Sequence, residues 1–146
     1  MANNNVIIGG GPVATNAIET IRQFDDESSI TLVSDEPAHS RMALPYWLAG
    51  QISKQHTMTA DDAYFQKLKV ESRIGLRATK IDPKAKTITL SDGGELPFDN
   101  LLIATGSSPV KLSIPGVDLP GVQPLWNLAH TQTALDVANG TTYSYT

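Results

Sequence analysis

The sequence predicts an α/β fold with a central parallel sheet, a helical face and an antiparallel β-meander. Residues 6–8 are continuously apolar, as expected of a parallel strand buried on both faces. Apolar residues then recur at helical spacing over residues 13–24, and a second apolar strand is expected at residues 30–33. Beyond residue 70 the pattern changes to short strands separated by turns. Because strand, helix and strand follow within about thirty residues, they form a βαβ unit, whose two strands are parallel.

The middle of the chain predicts two helices and a third parallel strand. A short helix is expected over residues 43–49, with Pro45 near its start. A second helix is expected over residues 60–69, with Thr59 as the cap before two acidic residues. Residues 70–74 then predict the third strand of the parallel sheet.

The second half predicts a meander, a loop and one more helix. The meander would return to a buried strand, and its strands are expected at residues 77–81, 87–90 and 97–104. The proline-containing stretch at residues 107–124 predicts a loop. Asn127 would cap a last helix through Ala138, which Gly140 would end.

The composition limits the classes of function. With 146 residues and 40% hydrophobic residues, the chain can build one core. A net charge of −4 gives no electrostatic reason to expect nucleic acid or a membrane as a partner. The absence of cysteine excludes a disulfide, a thiolate zinc site and a redox-active thiol within the chain. No basic segment followed by a long apolar run opens the sequence, so a cytoplasmic location is the default expectation.

A glycine turn after the first strand is the main functional motif. Residues 9–14 fit the pattern G-x-G-x-x-A between a strand and a helix. Gly9 would permit the tight turn, Gly11 would leave room for a pyrophosphate, and Ala14 would let the helix pack on the sheet. The helix N-terminus would offer N–H groups and partial positive charge to the phosphates. This context favours an ADP-type ligand over the alternative of a purely structural glycine turn.

An acidic pair follows the second strand, about twenty residues after the glycines, where a carboxylate accepts hydrogen bonds from a ribose. Asp35 lies nearer the strand end and is favoured for this contact over Glu36, whose alternative role is that of a solvated loop carboxylate.

Further segments resemble the pyridine nucleotide-disulfide oxidoreductase superfamily, and in particular its ferredoxin-reductase, rubredoxin-reductase and nitrite-reductase-like branches. Residues 39–46 resemble the family segment beside the flavin, and residues 78–93 resemble the family meander. Residues 98–106 resemble the second FAD signature, and residues 114–116 resemble the Ile-Pro-Gly that follows it. The resemblance covers nearly the whole chain and implies a three-layer, Rossmann-like FAD/NAD(P)-binding domain in truncated form.

The resemblance also implies roles for individual residues. The glycine turn would cradle the FAD pyrophosphate, and Asp35 would hold the adenosine ribose. Ala78 would present backbone groups to the adenine edge, and Arg41 would contact phosphate or flavin unless it is a surface arginine. No catalytic side chain is assigned. The full set of expected cofactor-binding residues is Gly9, Gly11, Pro12, Val13, Ala14, Asp35, Glu36, Arg41, Ala78, Ala104, Thr105 and Gly106.

Departures from the family limit the expected activity. Met42 stands where some members carry a single reactive cysteine, so thiol-based peroxidase or disulfide-reductase chemistry is not expected. Neither a second G-x-G-x-x-G nor the family's closing Gly-Asp motif is present. Residues 1–112 are therefore expected to be the N-terminal part of a split FAD-binding domain. Residues 113–146 would be a linker and helix leading toward an absent NAD(P)H domain.

Two functions follow from this resemblance. The first is that of an enzyme in which electrons pass from NAD(P)H via FAD to a protein or small-molecule acceptor, with the NAD(P)H site outside this chain. The second is a non-catalytic FAD- or ADP-binding fragment, or a subunit completed by another polypeptide. A homodimer is a further expectation. His39, His56 and His130 lack metal-ligand spacing and are expected to be ordinary surface or loop histidines.

Overall fold

The computed structural model describes residues 2–140, and their side chains through residue 138. Its first sheet consists of four parallel strands, which are β1 (Asn4–Ile8), β2 (Ser29–Ser34), β3 (Val70–Ile74) and β7 (Asn100–Ile103). They lie in the order β3-β2-β1-β7. A second sheet is antiparallel and consists of β4 (Ala78–Asp82), β5 (Thr87–Leu90) and β6 (Glu95–Pro97). Its strands lie side by side in the same order as in the sequence. The expected parallel sheet and antiparallel meander are confirmed. The single buried strand expected at residues 97–104 is wrong, because β6 ends at Pro97 and the separate strand β7 is only partly buried.

Four α-helices complete the described chain, namely α1 (Pro12–Phe24), α2 (Leu44–Leu48), α3 (Asp62–Lys67) and α4 (Leu128–Gly140). The short helix expected over residues 43–49 is composite, because a 3-10 turn at Arg41–Ala43 leads into α2. A second 3-10 turn lies at Lys54–Thr57. Asn127 caps α4 as expected, since its Oδ1 accepts a hydrogen bond of 2.8 Å from the His130 N–H.

The parallel sheet lies between two apolar layers, which confirms the three-layer fold. Because side chains alternate along a strand, β1 sends Ile7 to one face and its neighbours Val6 and Ile8 to the other. The Ile7 face packs against residues of α1 and α3, including Ile18 and Phe65. The opposite face packs against the antiparallel strands, whose buried residues are Ile88, Leu90 and Leu96. This arrangement explains the continuous apolar run in β1.

The described chain divides into two compact units. The first unit comprises Met1–His39 and Met58–Gly106, and it contains both sheets with α1 and α3. The second unit comprises Ser40–Thr57 and Ser107–Thr146, of which residues 141–146 lie outside the described residues. Within the second unit, α2 and α4 pack together, and their residues Leu44, Trp47 and Leu128 are buried. The expected domain boundary after residue 112 concerns a longer protein and stays a prediction.

Hydrogen bonds from Arg22 of α1 fix the segments that lead into β2 and β3. The guanidinium of Arg22 donates to the carbonyls of Leu68 and Lys69 before β3 and to that of Ser28 before β2.

Tyr64 of α3 donates from its hydroxyl to the carboxylate of Glu19, at 2.9 Å. Burial, followed by the bond to Glu19, raises the pKa of Tyr64 to about 12. The phenol therefore stays protonated and keeps donating throughout the neutral range.

The N-cap of α3 is Asp61, and the expectation that Thr59 caps this helix is wrong. The Asp61 carboxylate accepts from the Tyr64 N–H at 2.8 Å, which satisfies one of the N–H groups that lack an intrahelical acceptor. Asp61→Ala is expected to lower the free energy of unfolding by about 1 kcal/mol. Urea denaturation measures this loss. The control Thr59→Ala should change stability by less than about 0.5 kcal/mol, because the Thr59 side chain is exposed.

The turn between α1 and β2 is organised by Asp25. Its carboxylate accepts bonds from the Ser28 hydroxyl at 2.5 Å, from the Ser28 N–H at 2.8 Å and from the Glu27 N–H at 2.9 Å. The Ser28 hydroxyl oxygen in turn accepts from the N–H of Asn3, just before β1. The bond from the Ser28 hydroxyl, then those from the two backbone N–H groups, lowers the pKa of Asp25.

This turn gives a defined pH dependence. Because the pKa of Asp25 is lower in the folded state, its stabilisation is present above the ordinary carboxyl pKa of about 3.9 and is lost as the pH falls through the folded value. Asp25→Asn should therefore be less stable than the parent at pH 7, and the difference should shrink as the pH falls below about 3.9. Urea unfolding at several pH values measures the difference. A constant difference down to pH 2 would contradict this role.

No helix in the described part of the chain is long and apolar enough to cross a membrane.

Candidate functional site: a glycine turn at the carboxyl end of the parallel sheet

The carboxyl ends of three parallel strands meet at Gly9 in the first unit. The Gly9 N–H donates to the carbonyl of Val33 at the end of β2, and the Ala104 N–H donates to that of Ile8, both at 2.8 Å. Gly9 has φ of +109°, and a Cβ there would lie 2.7 Å from the carbonyl carbon of Ala104. Both the backbone conformation and the close approach of Ala104 therefore require glycine.

Gly10 is a second close contact, which the sequence reasoning missed. A Cβ on Gly10 would lie 2.8 Å from Oγ of Ser34 and 3.5 Å from the carbonyl oxygen of Glu36. The Ser34 hydroxyl donates to that same carbonyl at 2.7 Å. Gly10 thus lets the turn after β1 pack against the turn after β2. In the sequence, the run of three glycines does not distinguish Gly10 from its two neighbours.

Gly11 differs from both, because it opens onto empty space. It is the N-cap of α1, with φ of −79° and ψ of −177°, and no side chain caps the helix. Apart from Gly11 and its two chain neighbours, no described residue has an atom within 4 Å of the position that a Cβ would take. A helix N-terminus carries partial positive charge and N–H groups without intrahelical acceptors. The space beside Gly11 therefore fits an anionic group such as a pyrophosphate.

The first turn of α1 separates exposed from buried positions. Pro12 occupies the first helical position, where no N–H is required, and Val13 is also exposed. Ala14 is fully buried and packs with Ile7 and Ile18 in the core between the helices and the sheet. A larger side chain at Ala14 would push the helix away from β1.

The two acidic residues after β2 have different surroundings. Asp35 is exposed, and its Oδ2 accepts a hydrogen bond of 2.6 Å from Nη2 of Arg77. The carboxylate of Glu36 is less exposed and lies 3.9 Å from Nε2 of His39. This difference favours Asp35 as the carboxylate that reaches a ligand.

The expectation that His39 is a surface or loop histidine is wrong, because its side chain is buried. Only 6% of its surface is exposed, and its Nδ1 lies 2.9 Å from the carbonyl oxygen of Pro37. Its burial follows from a bridge to Met58 that the sequence pattern does not reveal. Within the part of the chain that the structure describes, no group of three or more His, Asp or Glu side chains is arranged to hold a metal ion.

The remaining predicted residues fall into two places. Ala78 begins β4 in the first unit, directly after Arg77, and Ala104 to Gly106 follow β7 beside Gly9. Arg41 belongs to the second unit, where its guanidinium carbon lies 4.6 Å from the ring centroid of Trp126. All the predicted cofactor-binding residues except Arg41 therefore lie in the first unit.

The fold and this turn define a class of protein. A parallel sheet whose first βα turn carries G-x-G-x-x-A, with an acidic residue after the second strand, is a Rossmann-like dinucleotide-binding fold. The chain belongs to the pyridine nucleotide-disulphide oxidoreductase family, whose model matches residues 3–141.

Several relatives support this assignment. The epsilon subunit of the NADH-dependent phenylglyoxylate dehydrogenase of Aromatoleum evansii is 33% identical over 115 residues, which cover 77% of this chain and 27% of that protein. The ferredoxin–NAD(+) reductase subunit of the benzene 1,2-dioxygenase system of Pseudomonas putida is 30% identical over 138 residues, covering 93% of this chain and 34% of that protein. Among solved structures, an NAD-dependent persulfide reductase from A. fulgidus matches with a TM-score of 0.83 at 33% identity, covering 94% of this chain and 27% of that chain. This chain therefore spans about a quarter to a third of the length of these relatives.

Proposed function

We propose that the first unit binds the ADP part of FAD and serves an oxidoreductase in which electrons pass from NAD(P)H via FAD to an acceptor. The observation that carries this proposal is the contrast between the three glycines. Gly9 and Gly10 are required by close contacts within the protein, whereas the fold itself does not need a glycine at Gly11. The empty space beside Gly11, at the start of α1, is what a bound pyrophosphate requires.

The residues around this turn divide the recognition of ADP among them. Gly11, Pro12 and Val13 would line the pyrophosphate at the start of α1. The Asp35 carboxylate would accept hydrogen bonds from the ribose hydroxyls, with Glu36 as the weaker candidate. Ala78 would present its backbone to the adenine edge, while Ala104, Thr105 and Gly106 would approach the cofactor through backbone at the end of β7. These roles need small side chains or acceptors, which the positions provide.

Bound FAD supplies the hydride and electron chemistry, and the protein orients it. No residue of this chain is assigned to proton or hydride transfer. The acceptor is proposed to be a protein or a small molecule. A protein acceptor is supported by the relative whose name makes it a ferredoxin–NAD(+) reductase subunit. Arg41 is proposed to contact phosphate or flavin, and its guanidinium is at present stacked on Trp126.

Binding without turnover is a second candidate function. It is favoured because the predicted binding residues other than Arg41 lie in the first unit, whereas no residue of this chain is assigned to proton or hydride transfer. In that case the chain would hold FAD or ADP, and another polypeptide would complete the enzyme.

A flavin spectrum of the purified chain distinguishes the two candidates. Reconstitution with FAD followed by gel filtration should give a yellow protein, and ADP should raise its unfolding temperature. Bleaching by NADH would establish turnover in this chain and exclude the second candidate. A yellow protein that NADH does not bleach supports binding without turnover. A chain that retains no flavin and whose unfolding temperature responds to neither FAD nor ADP would refute both.

A further inference from the structure

The ion pair between Arg77 and Asp35 has no place in the roles assigned so far. Nη2 of Arg77 donates to Oδ2 of Asp35 at 2.6 Å, across 42 residues of sequence. Both side chains are substantially exposed, Arg77 to 74% and Asp35 to 46%. An exposed pair of this kind contributes little to stability. The short Arg77–Asp35 bond is therefore better explained by its effect on the orientation of the Asp35 carboxylate.

The backbone brings both partners to this position. The carbonyl of Ser34, next to Asp35, accepts from the Gly75 N–H at 2.7 Å. The N–H of Arg77 donates to Oγ of Ser91 at 3.1 Å, and the Arg77 carbonyl accepts from the Ser91 N–H at 2.8 Å. The Arg77 backbone is thus fixed to the meander by two bonds, one with the Ser91 hydroxyl and one with the Ser91 N–H. The bond from Gly75 fixes the segment before Arg77 against the end of β2.

We propose that Arg77 is a positioning residue for ribose recognition, which rests on the proposed binding of ADP by the first unit. By holding Oδ2, Arg77 fixes the Asp35 carboxylate in one orientation and leaves Oδ1 to accept from a ribose hydroxyl. A charge-assisted bond to an arginine is short and directional, so the carboxylate loses little further freedom when a ligand arrives. The ligand class is a ribonucleotide, distinguished from a deoxyribonucleotide by its 2′-hydroxyl.

The position of Arg77 along the chain supports this role. The next residue is Ala78, the proposed backbone contact of the adenine edge. One short segment at the start of β4 would therefore serve both the base and, through Asp35, the sugar. If Arg77 instead competed with the ligand for Asp35, removing Arg77 would strengthen ADP binding rather than weaken it.

The test compares Arg77→Gln with Arg73→Gln. Arg73 lies in the same unit, forms an ion pair of 2.8 Å with Glu71 and carries the same charge, so its removal controls for net charge. Isothermal titration of the full chain with ADP and with 2′-deoxy-ADP measures the preference for the ribose. The parent chain and Arg73→Gln should prefer ADP by about tenfold, the value of one hydrogen bond to a charged group. In Arg77→Gln the preference should fall to about twofold or less, and Arg77→Lys should restore part of it.

The outcomes separate this inference from the proposed function. A parent chain that does not bind ADP overturns both. A parent chain that binds ADP, with an unchanged ribose preference in Arg77→Gln, overturns the role of Arg77 alone. Tighter ADP binding by Arg77→Gln also overturns it, in favour of competition. The unfolding midpoints of Arg77→Gln and Arg73→Gln should agree with that of the parent, which excludes a general loss of structure as the cause of weaker binding.

Discussion

Gly11→Ala is expected to weaken the binding of ADP and FAD about a hundredfold while leaving the fold intact. The added methyl group would enter the space beside the start of α1 and displace the pyrophosphate from its backbone donors. Loss of two charge-assisted hydrogen bonds of about 1.5 kcal/mol each corresponds to this factor. Apart from the chain neighbours of Gly11, no described residue has an atom within 4 Å of the new Cβ, and the φ of −79° suits alanine.

Titration calorimetry with ADP measures the loss, and urea unfolding of the free protein shows whether the fold is kept. Alanine restricts the unfolded chain but is a poorer N-cap than glycine, so the stability of Gly11→Ala should stay within about 1 kcal/mol of that of the parent. Gly94→Ala is the matched control, since the nearest atom to its Cβ would be Oδ1 of the Asp92 side chain, at 3.1 Å. Binding of ADP by Gly11→Ala at the parent's affinity would exclude a pyrophosphate at this turn.

Gly9→Ala is expected to have the largest effect on stability, a loss of about 3 kcal/mol or more in the free energy of unfolding. Alanine at φ of +109° is strained, which costs on the order of 1–3 kcal/mol, and the Cβ also overlaps the backbone of Ala104. Backbone at the junction of β1 and β7 cannot move aside without breaking their pairing.

Gly93→Ala measures the cost of a positive φ without a steric overlap. Gly93 has a φ of +87°, but a Cβ there has no neighbour within 4 Å. Urea denaturation should therefore give a loss of about 1 kcal/mol for Gly93→Ala and a clearly larger loss for Gly9→Ala. Equal losses would mean that the approach of Ala104 to Gly9 is not a tight contact.

The sequence predicts the elements of the first unit well because local patterns determine them. The apolar run of β1, the glycine turn and the helical spacing of α1 each depend on residues close in sequence. The third parallel strand was expected at residues 70–74 and is found there. The cap of α3 was misplaced because Thr59 and Asp61 are both good capping residues, and only the backbone geometry selects Asp61.

Features of the site that depend on tertiary structure were not accessible from the sequence. The pairing of Arg77 with Asp35 requires the meander to pack beside the end of β2. The burial of His39 requires its bridge to Met58. The distinct role of Gly10 requires the position of Ser34. In each case the partner lies at least about twenty residues away, where composition and spacing carry no information.

The central claim is that the glycine turn of the first unit holds the ADP part of FAD, and a titration of the ¹⁵N-labelled chain with ADP tests it most directly. Amide resonances report binding residue by residue. We expect the largest shifts at Gly9 to Gly11, at Val13 and Ala14, at Asp35 and at Ala78, with the amides of β5 and β6 unchanged; Pro12 has no amide proton. The same titration of Gly11→Ala should show no saturable shifts at the turn in the concentration range that saturates the parent. Saturable shifts confined to the second unit, or none at any residue, would contradict the claim.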